Sequence, residues 1–188
     1  MTIPNLLTLL RLALIVPFCF FVTGGLQWDV MALLTFIVAA STDWFDGYYA
    51  RRFKQTSDAG KLLDPLADKL LVATAFIAFA ADPVVQLPVW SVVIIMGREF
   101  LITGLRALIS SRGAEVMAAD TLGKAKTVAQ MACILIFLVG RAPNSQAFLS
   151  LGKAVYALAV FLTLLSGAEY LWRYRALLME SFKANPEQ

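Results

Sequence analysis

Histidine does not occur anywhere in the 188 residues, and cysteine occurs twice, at Cys19 and Cys133. Without imidazole, any general base has to be a carboxylate, a lysine or a tyrosine. A zinc or copper centre likewise lacks its usual ligands. Both cysteines sit inside apolar segments with no spacing that suggests a disulfide or a metal site, so they read as packing residues. Charge is also scarce: Asp, Glu, Lys and Arg make up 15% of the chain against 60% hydrophobic residues. A soluble domain averages about 25% charged and about 45–50% apolar. With a mean hydropathy of +0.73, the chain reads as an integral membrane protein. The net charge of +3 is explained in such a chain by topology and by anionic lipid or phosphate partners, and no nucleic-acid partner is expected. No basic stretch precedes Leu6 and the apolar pattern recurs along the whole chain, so no cleavable signal peptide is expected and the N-terminus belongs to the fold.

Apolar stretches recur at roughly 5–24, 28–50, 62–81, 86–110, 123–140 and 147–172, each about the twenty residues a helix needs to cross a bilayer. Turn-forming connections separate them: Gly24-Gly25, the polar loop from Arg52 to Ser57, Asp82-Pro83, Ser110 to Gly113, and Arg141 to Asn144. The expected fold is an all-α bundle of six transmembrane helices forming a single domain over 1–188, with a polar, partly disordered tail after about 175. In an up-and-down bundle, of the 16 Lys and Arg all but Arg141 and Lys153 fall on one side. The positive-inside bias makes that side, with both termini, cytoplasmic.

Four carboxylates stand out where the second and third spans meet the basic loop. The stretch reads Asp43-x-x-Asp46-Gly47-x-x-Ala50-Arg51, then Gly60-x-x-x-Asp64-x-x-x-Asp68. A charge near hydrocarbon costs several kcal/mol unless paired, hydrated or metal-bound, so four acids together call for a cation or a reaction. Spacings of three and four put each pair on one helix face, and an antiparallel helix pair would bring all four together. Carboxylates are hard ligands for Mg2+, Mn2+ or Ca2+, and two such ions about 3.5–4 Å apart form the common clamp of phosphoryl chemistry. Gly47, Ala50 and Gly60 leave room for a base or phosphate, or equally for close helix packing. Arg51 and Ser57 suit phosphate, and Arg51 also suits a topology signal.

Two other groups are polar within apolar surroundings. Asn5, Thr8 and Arg11 recur at three-residue steps and line one side of the first helix, either as a polar pocket or as a helix start with Arg11 snorkelling to the interface. Further on lie Arg98-Glu99, Arg106 and Gly123-Lys124-x-Lys126-Thr127. Arg98 and Arg106 are eight residues apart, close to two helical turns, and can share a cavity for an anionic small molecule. A headgroup belt, with an arginine paired to Glu99, is the alternative. Gly123-Lys124 is not a P-loop, because the first glycine and the preceding strand are missing.

From Asp43 to Asp68 the chain resembles the CDP-alcohol phosphotransferase family, whose signature Asp-x2-Asp-Gly-x2-Ala-Arg-x8-Gly-x3-Asp-x3-Asp is matched at every fixed position. The Pro-Asn-x-x-Thr-x-x-Arg start, the Arg98 to Arg106 segment and the run from Gly123 to Thr127 extend the resemblance to those members that use glycerol 3-phosphate. The resemblance implies six transmembrane helices, a homodimer in the bacterial cytoplasmic (inner) membrane, a site facing the cytosol, and transfer of a phosphatidyl group from CDP-diacylglycerol. It also implies two Mg2+ or Mn2+ ions on Asp43, Asp46, Asp64 and Asp68, with Asp43 and Asp64 shared and Asp68 the general base. Asn5, Thr8, Gly47, Ala50, Arg51, Ser57 and Gly60 are then expected at CDP-diacylglycerol, and Arg98, Arg106, Lys124 and Lys126 at glycerol 3-phosphate. Charge favours a phosphate-bearing acceptor over serine or a neutral lipid but does not separate glycerol 3-phosphate from inositol phosphate. Intramembrane acids also suit an ion or proton carrier. That reading expects polar groups near the midplane of several helices, whereas these acids cluster at one face.

Overall fold

The computed structural model describes the backbone of residues 3–53, 58–111, 121–141 and 143–175, and the side chains of 6–42, 66–109, 121–141 and 143–175. Among these residues there are six α-helices, α1 (Ile3–Thr23), α2 (Asp29–Phe53), α3 (Asp58–Ala81), α4 (Val89–Ser111), α5 (Thr121–Arg141) and α6 (Gln146–Arg173), with one 3-10 turn at Leu26–Trp28. No strand occurs among the described residues. Leu6–Thr23, Thr121–Arg141 and Gln146–Arg173 are long and apolar enough to cross a membrane by themselves. The helices run beyond the apolar stretches wherever no breaker intervenes, so α2 continues to Phe53 and α3 begins at Asp58. By contrast α4 starts at Val89 rather than 86. Pro88 supplies the carbonyl that accepts from Ser91 N at 3.0 Å, and its ring pre-sets the first turn of a helix but cannot continue one.

The interior is aromatic and the outside apolar. Phe18 meets Phe36 at 5.5 Å between ring centroids, Phe79 meets Phe137 at 5.3 Å, and Phe76 meets Tyr156 at 5.4 Å, spacings at which edge-on ring pairs are favourable. Val16, Phe20, Ile77, Trp90, Val128 and Phe161 point outward, each at least 60% exposed, as a lipid-facing surface requires. Hydroxyls on that surface bond back into their own helix, as Thr35 does to Met31 O (2.7 Å) and Ser41 to Ile37 O (2.6 Å), so these two donors are satisfied without water. α6 packs on α5 through small residues. A Cβ on Gly152 would stand 2.5 Å from the Phe137 ring, so glycine there sets the closeness of the two helices. Asn144, with φ +48°, ends α5 in the left-handed conformation that asparagine tolerates. Asn144 N then donates to Arg141 O at 2.9 Å and Ser145 N to Gly140 O at 3.0 Å, the paired bonds of a Schellman turn.

One side chain ties one end of the bundle together. Arg141, 2% exposed, reaches Val22 O on α1 at 2.8 Å, Asp29 Oδ1 at the start of α2 at 3.3 Å, and Asp82 Oδ2 just after α3 at 3.2 Å. Asp82 also accepts from the backbone N–H of Val84 and Val85 at 2.8 and 2.9 Å, which shapes the turn into α4. The end of α1, the start of α2, the end of α3 and the end of α5 therefore meet at one point, and the described helices alternate up and down.

Breaking a buried ion pair by removing one partner typically destabilises by about 3–5 kcal/mol, because the remaining charge stays buried. Arg141→Ala, which strands Asp29 and Asp82, is expected to lose stability of that order in unfolding of the purified protein in detergent. A loss below about 1 kcal/mol would contradict the assignment.

Candidate active site

Opposite Arg141, some 20 Å away along α3 and α5 at 1.5 Å per residue, the helix ends surround a cavity of about 220 Å³. α3 contributes Asp68 and Lys69, α4 contributes Arg98, Glu99 and Arg106, and α5 contributes Gly123, Lys126 and Thr127. The eight-residue step from Arg98 to Arg106 does put both on one wall. The charges are held by one another. Arg98 Nη2 donates to Ser166 Oγ on α6 at 3.1 Å, and Arg98 Nη1 lies 3.5 Å from Glu99 Oε1. The same Glu99 oxygen accepts from Lys126 Nζ in a short ion pair. These side chains are only 7–14% exposed, so water screens them poorly and the pairing is strong. The backbone of α6 yields to Arg98: a Cβ on Gly167 would sit 3.0 Å from Arg98 Cγ.

Lys124 behaves differently from Lys126. Two residues apart on a helix means about 200° of rotation, and Lys124 is exposed and outside the cavity lining while Lys126 is buried in it. At the first helix, Thr8 is 1% and Arg11 0% exposed, and Arg11 Nε donates to Thr42 Oγ1 at 3.1 Å. Arg11 thus faces the bundle interior rather than snorkelling to water, and its partner Thr42 directly precedes Asp43.

Asp43, Asp46, Gly47, Ala50 and Arg51 belong to α2, Gly60 and Asp64 to α3, and Asn5 to α1, but their side chains lie outside the described residues, and Ser57 lies outside them altogether. Among the described residues no three acidic, histidine or cysteine side chains stand together as a metal site; Asp68 is the member of the carboxylate cluster whose side chain is described. The helix bounds carry one further fact. Asp43 is about ten residues, or roughly 15 Å, before the end of α2, and Asp68 the same distance after the start of α3; Asp46 and Asp64 are each about 10 Å from those ends. In the antiparallel α2–α3 pair the two acid pairs therefore match in depth.

No motif marks α6 as part of the site, yet Ser166, Glu169, Tyr170 and Arg173 complete the cavity wall, with Arg173 Nη2 paired to Glu169 Oε1 at 2.9 Å. The available signal was their spacing of three and four on one face, at the charged end of the last apolar span.

Comparison with known proteins finds relatives along most of the chain. The family model for CDP-alcohol phosphatidyltransferase matches residues 1–165. A Bacillus subtilis (strain 168) CDP-diacylglycerol--glycerol-3-phosphate 3-phosphatidyltransferase is 38% identical over 181 aligned residues, covering 89% of this chain and 92% of that protein. An Escherichia coli (strain K12) protein of the same name is 39% identical over 183, covering 95% and 97%, and one from Rickettsia bellii (strain RML369-C) is 37% identical over 172, covering 89% and 92%. With a family match over most of its length and relatives of this identity spanning nearly all of both chains, the protein belongs to the CDP-alcohol phosphatidyltransferase family.

Proposed function

We propose that this protein transfers the phosphatidyl group of CDP-diacylglycerol to glycerol 3-phosphate, giving phosphatidylglycerol phosphate and CMP. The observation that carries the proposal is that Asp68, from the signature, shares one cavity with Arg98, Arg106 and Lys126. A carboxylate beside three cations is what a reaction needs when it must take a proton from a hydroxyl while holding a phosphate. The names of the relatives support the same substrates.

In this reading Asn5, Thr8, Gly47, Ala50, Arg51, Ser57 and Gly60 hold the CDP part of the lipid, with the buried Arg11–Thr42 contact fixing α1 against α2 just ahead of Asp43. The donor set suits hard divalent ions: four carboxylates, no histidine, and matched depths on two helices. Two Mg2+ or Mn2+ ions bound by Asp43, Asp46, Asp64 and Asp68, with Asp43 and Asp64 shared, would neutralise the pyrophosphate and ease the departure of CMP. Arg98, Arg106 and Lys126 hold the acceptor's phosphate, and exposed Lys124 adds only longer-range attraction. The acceptor's hydroxyl oxygen forms a bond to the phosphorus that carries diacylglycerol, the P–O bond to CMP breaks, and the hydroxyl proton passes to Asp68. Asp68 is preferred as base because a carboxylate shared by two cations keeps little basicity, lysines are normally protonated, and Glu99 is engaged by Arg98 and Lys126.

The proposal includes six membrane spans, with both termini and the cavity on the cytoplasmic side of a bacterial inner membrane. It is supported by the described Lys and Arg, which apart from Arg141 and Lys153 collect toward the cavity end. A homodimer rests on the family resemblance alone.

Purified protein given CDP-diacylglycerol and glycerol 3-phosphate is expected to release CMP, to stop in EDTA, and to resume when Mg2+ or Mn2+ is restored; full activity in EDTA contradicts the metal site. Asp43→Asn or Asp64→Asn removes a shared ligand and is expected to abolish transfer. Asp68→Asn is expected to retain CDP-diacylglycerol binding while transfer falls by about 10²- to 10⁴-fold, the usual worth of general-base help. Near-normal turnover in Asp68→Asn with nucleotide bound moves the base elsewhere.

A further inference from the structure

A carboxylate in the wall of an anion pocket needs a reason, and Glu99 supplies an unusual case. It sits on the cavity wall at 12% exposure, and the same oxygen meets both Lys126 from α5 and Arg98 from its own helix. Arg98 in turn is bonded to Ser166 on α6, so a chain of contacts from Lys126 through Glu99 and Arg98 to Ser166 links three helices around the cavity. Its charge nevertheless repels the phosphate that these cations would bind. A site built only for affinity would be tighter without it.

We infer that Glu99 is a positioning residue that fixes Lys126 and Arg98 on the cavity wall and lowers their combined charge, so that a phosphate monoester is bound loosely enough to leave. This rests on the acceptor reading above. The reason lies in the reaction's bookkeeping of groups: the new bond forms at the acceptor's hydroxyl, and the phosphate monoester is carried unchanged from acceptor into product. Whatever tightens the grip on the acceptor's phosphate tightens the grip on the product's equally. Such uniform binding lowers KM without speeding the chemical step, and it slows release, which limits turnover in many enzymes. Glu99 offsets that tightening while keeping both cations immobile.

Glu99→Gln keeps the shape and a hydrogen-bond acceptor but removes the charge. The expected result, with CDP-diacylglycerol saturating, is a KM for glycerol 3-phosphate lowered by about tenfold or more, the direction and scale set by deleting a poorly screened charge a few ångströms away. A fall in kcat should accompany it, with one rapid equivalent of CMP released ahead of a slow steady state. A residue that only braces the fold would give an unchanged or raised KM and no such burst, and that result overturns the inference. If Glu99→Gln does not fold, Glu99→Asp gives the second reading. It keeps the charge but draws it back from Lys126 and Arg98, so the cations are offset less and KM should again fall, by less than in Glu99→Gln; an unchanged or raised KM overturns the inference. Calorimetric titration of the folded variant and the parent with inorganic phosphate separates this inference from the acceptor reading, since it needs no turnover. Tighter phosphate binding in Glu99→Gln supports the role of Glu99 even if the parent transfers nothing to glycerol 3-phosphate. Phosphate binding unchanged in Glu99→Gln, when the parent does transfer to glycerol 3-phosphate, overturns the role of Glu99 alone.

Discussion

Removing a charge from water costs several kcal/mol unless a partner takes its place, and this constraint organises both ends of the bundle. At one end Arg141 is surrounded by Asp29, Asp82 and a backbone carbonyl, so helices that are distant in sequence meet there to offset the buried guanidinium charge. At the other, Arg98 and Lys126 share the one Glu99 carboxylate across α4 and α5, which offsets part of their charge, while Ser166 draws in α6. Between the two ends the helices are held by aromatic packing and small residues, with neutral polar pairs such as Ser91 Oγ to Tyr156 OH at 2.7 Å. The two charge clusters differ in use. The Arg141 cluster is closed, and its members turn on each other. The Glu99 cluster borders open space and keeps cationic character facing the cavity.

Much of the architecture was legible from hydropathy alone. Six apolar stretches became six helices because each is long enough to turn its surface to the interior or to membrane lipid and is punctuated by glycine, proline or polar residues. What hydropathy could not supply was the pairing of charges across the bundle. Arg141 read as an isolated cation on the sparsely charged side, and nothing local to it names Asp29 or Asp82, which lie more than fifty residues away in the chain. Arg11 was ambiguous for the same reason. A charged residue near a helix start snorkels in one context and turns inward in another, and its burial against Thr42 decides between them only once α1 and α2 are packed.

At the site, spacing was informative where helical phase was already fixed. The eight-residue interval put Arg98 and Arg106 on one wall, and the three- and four-residue intervals of the aspartates gave pairs whose depths agree on α2 and α3. Phase was lost at Lys124 and Lys126, two residues apart at the start of α5, where both read as acceptor ligands and only Lys126 lines the cavity. The α6 contribution went unread because Ser166, Glu169 and Tyr170 resemble the polar end of any last span. Their role appears only when α6 closes against α4.

The central claim is that the cation-lined cavity admits a small phosphorylated alcohol to a metal-bound CDP-lipid. Its most direct test is to offer purified protein CDP-diacylglycerol with an equimolar mixture of glycerol 3-phosphate, inositol phosphate, serine and phosphatidylglycerol, and to identify the lipid products by mass spectrometry. The account predicts phosphatidylglycerol phosphate as the dominant product. Phosphatidylserine, cardiolipin or phosphatidylinositol phosphate in its place would contradict it.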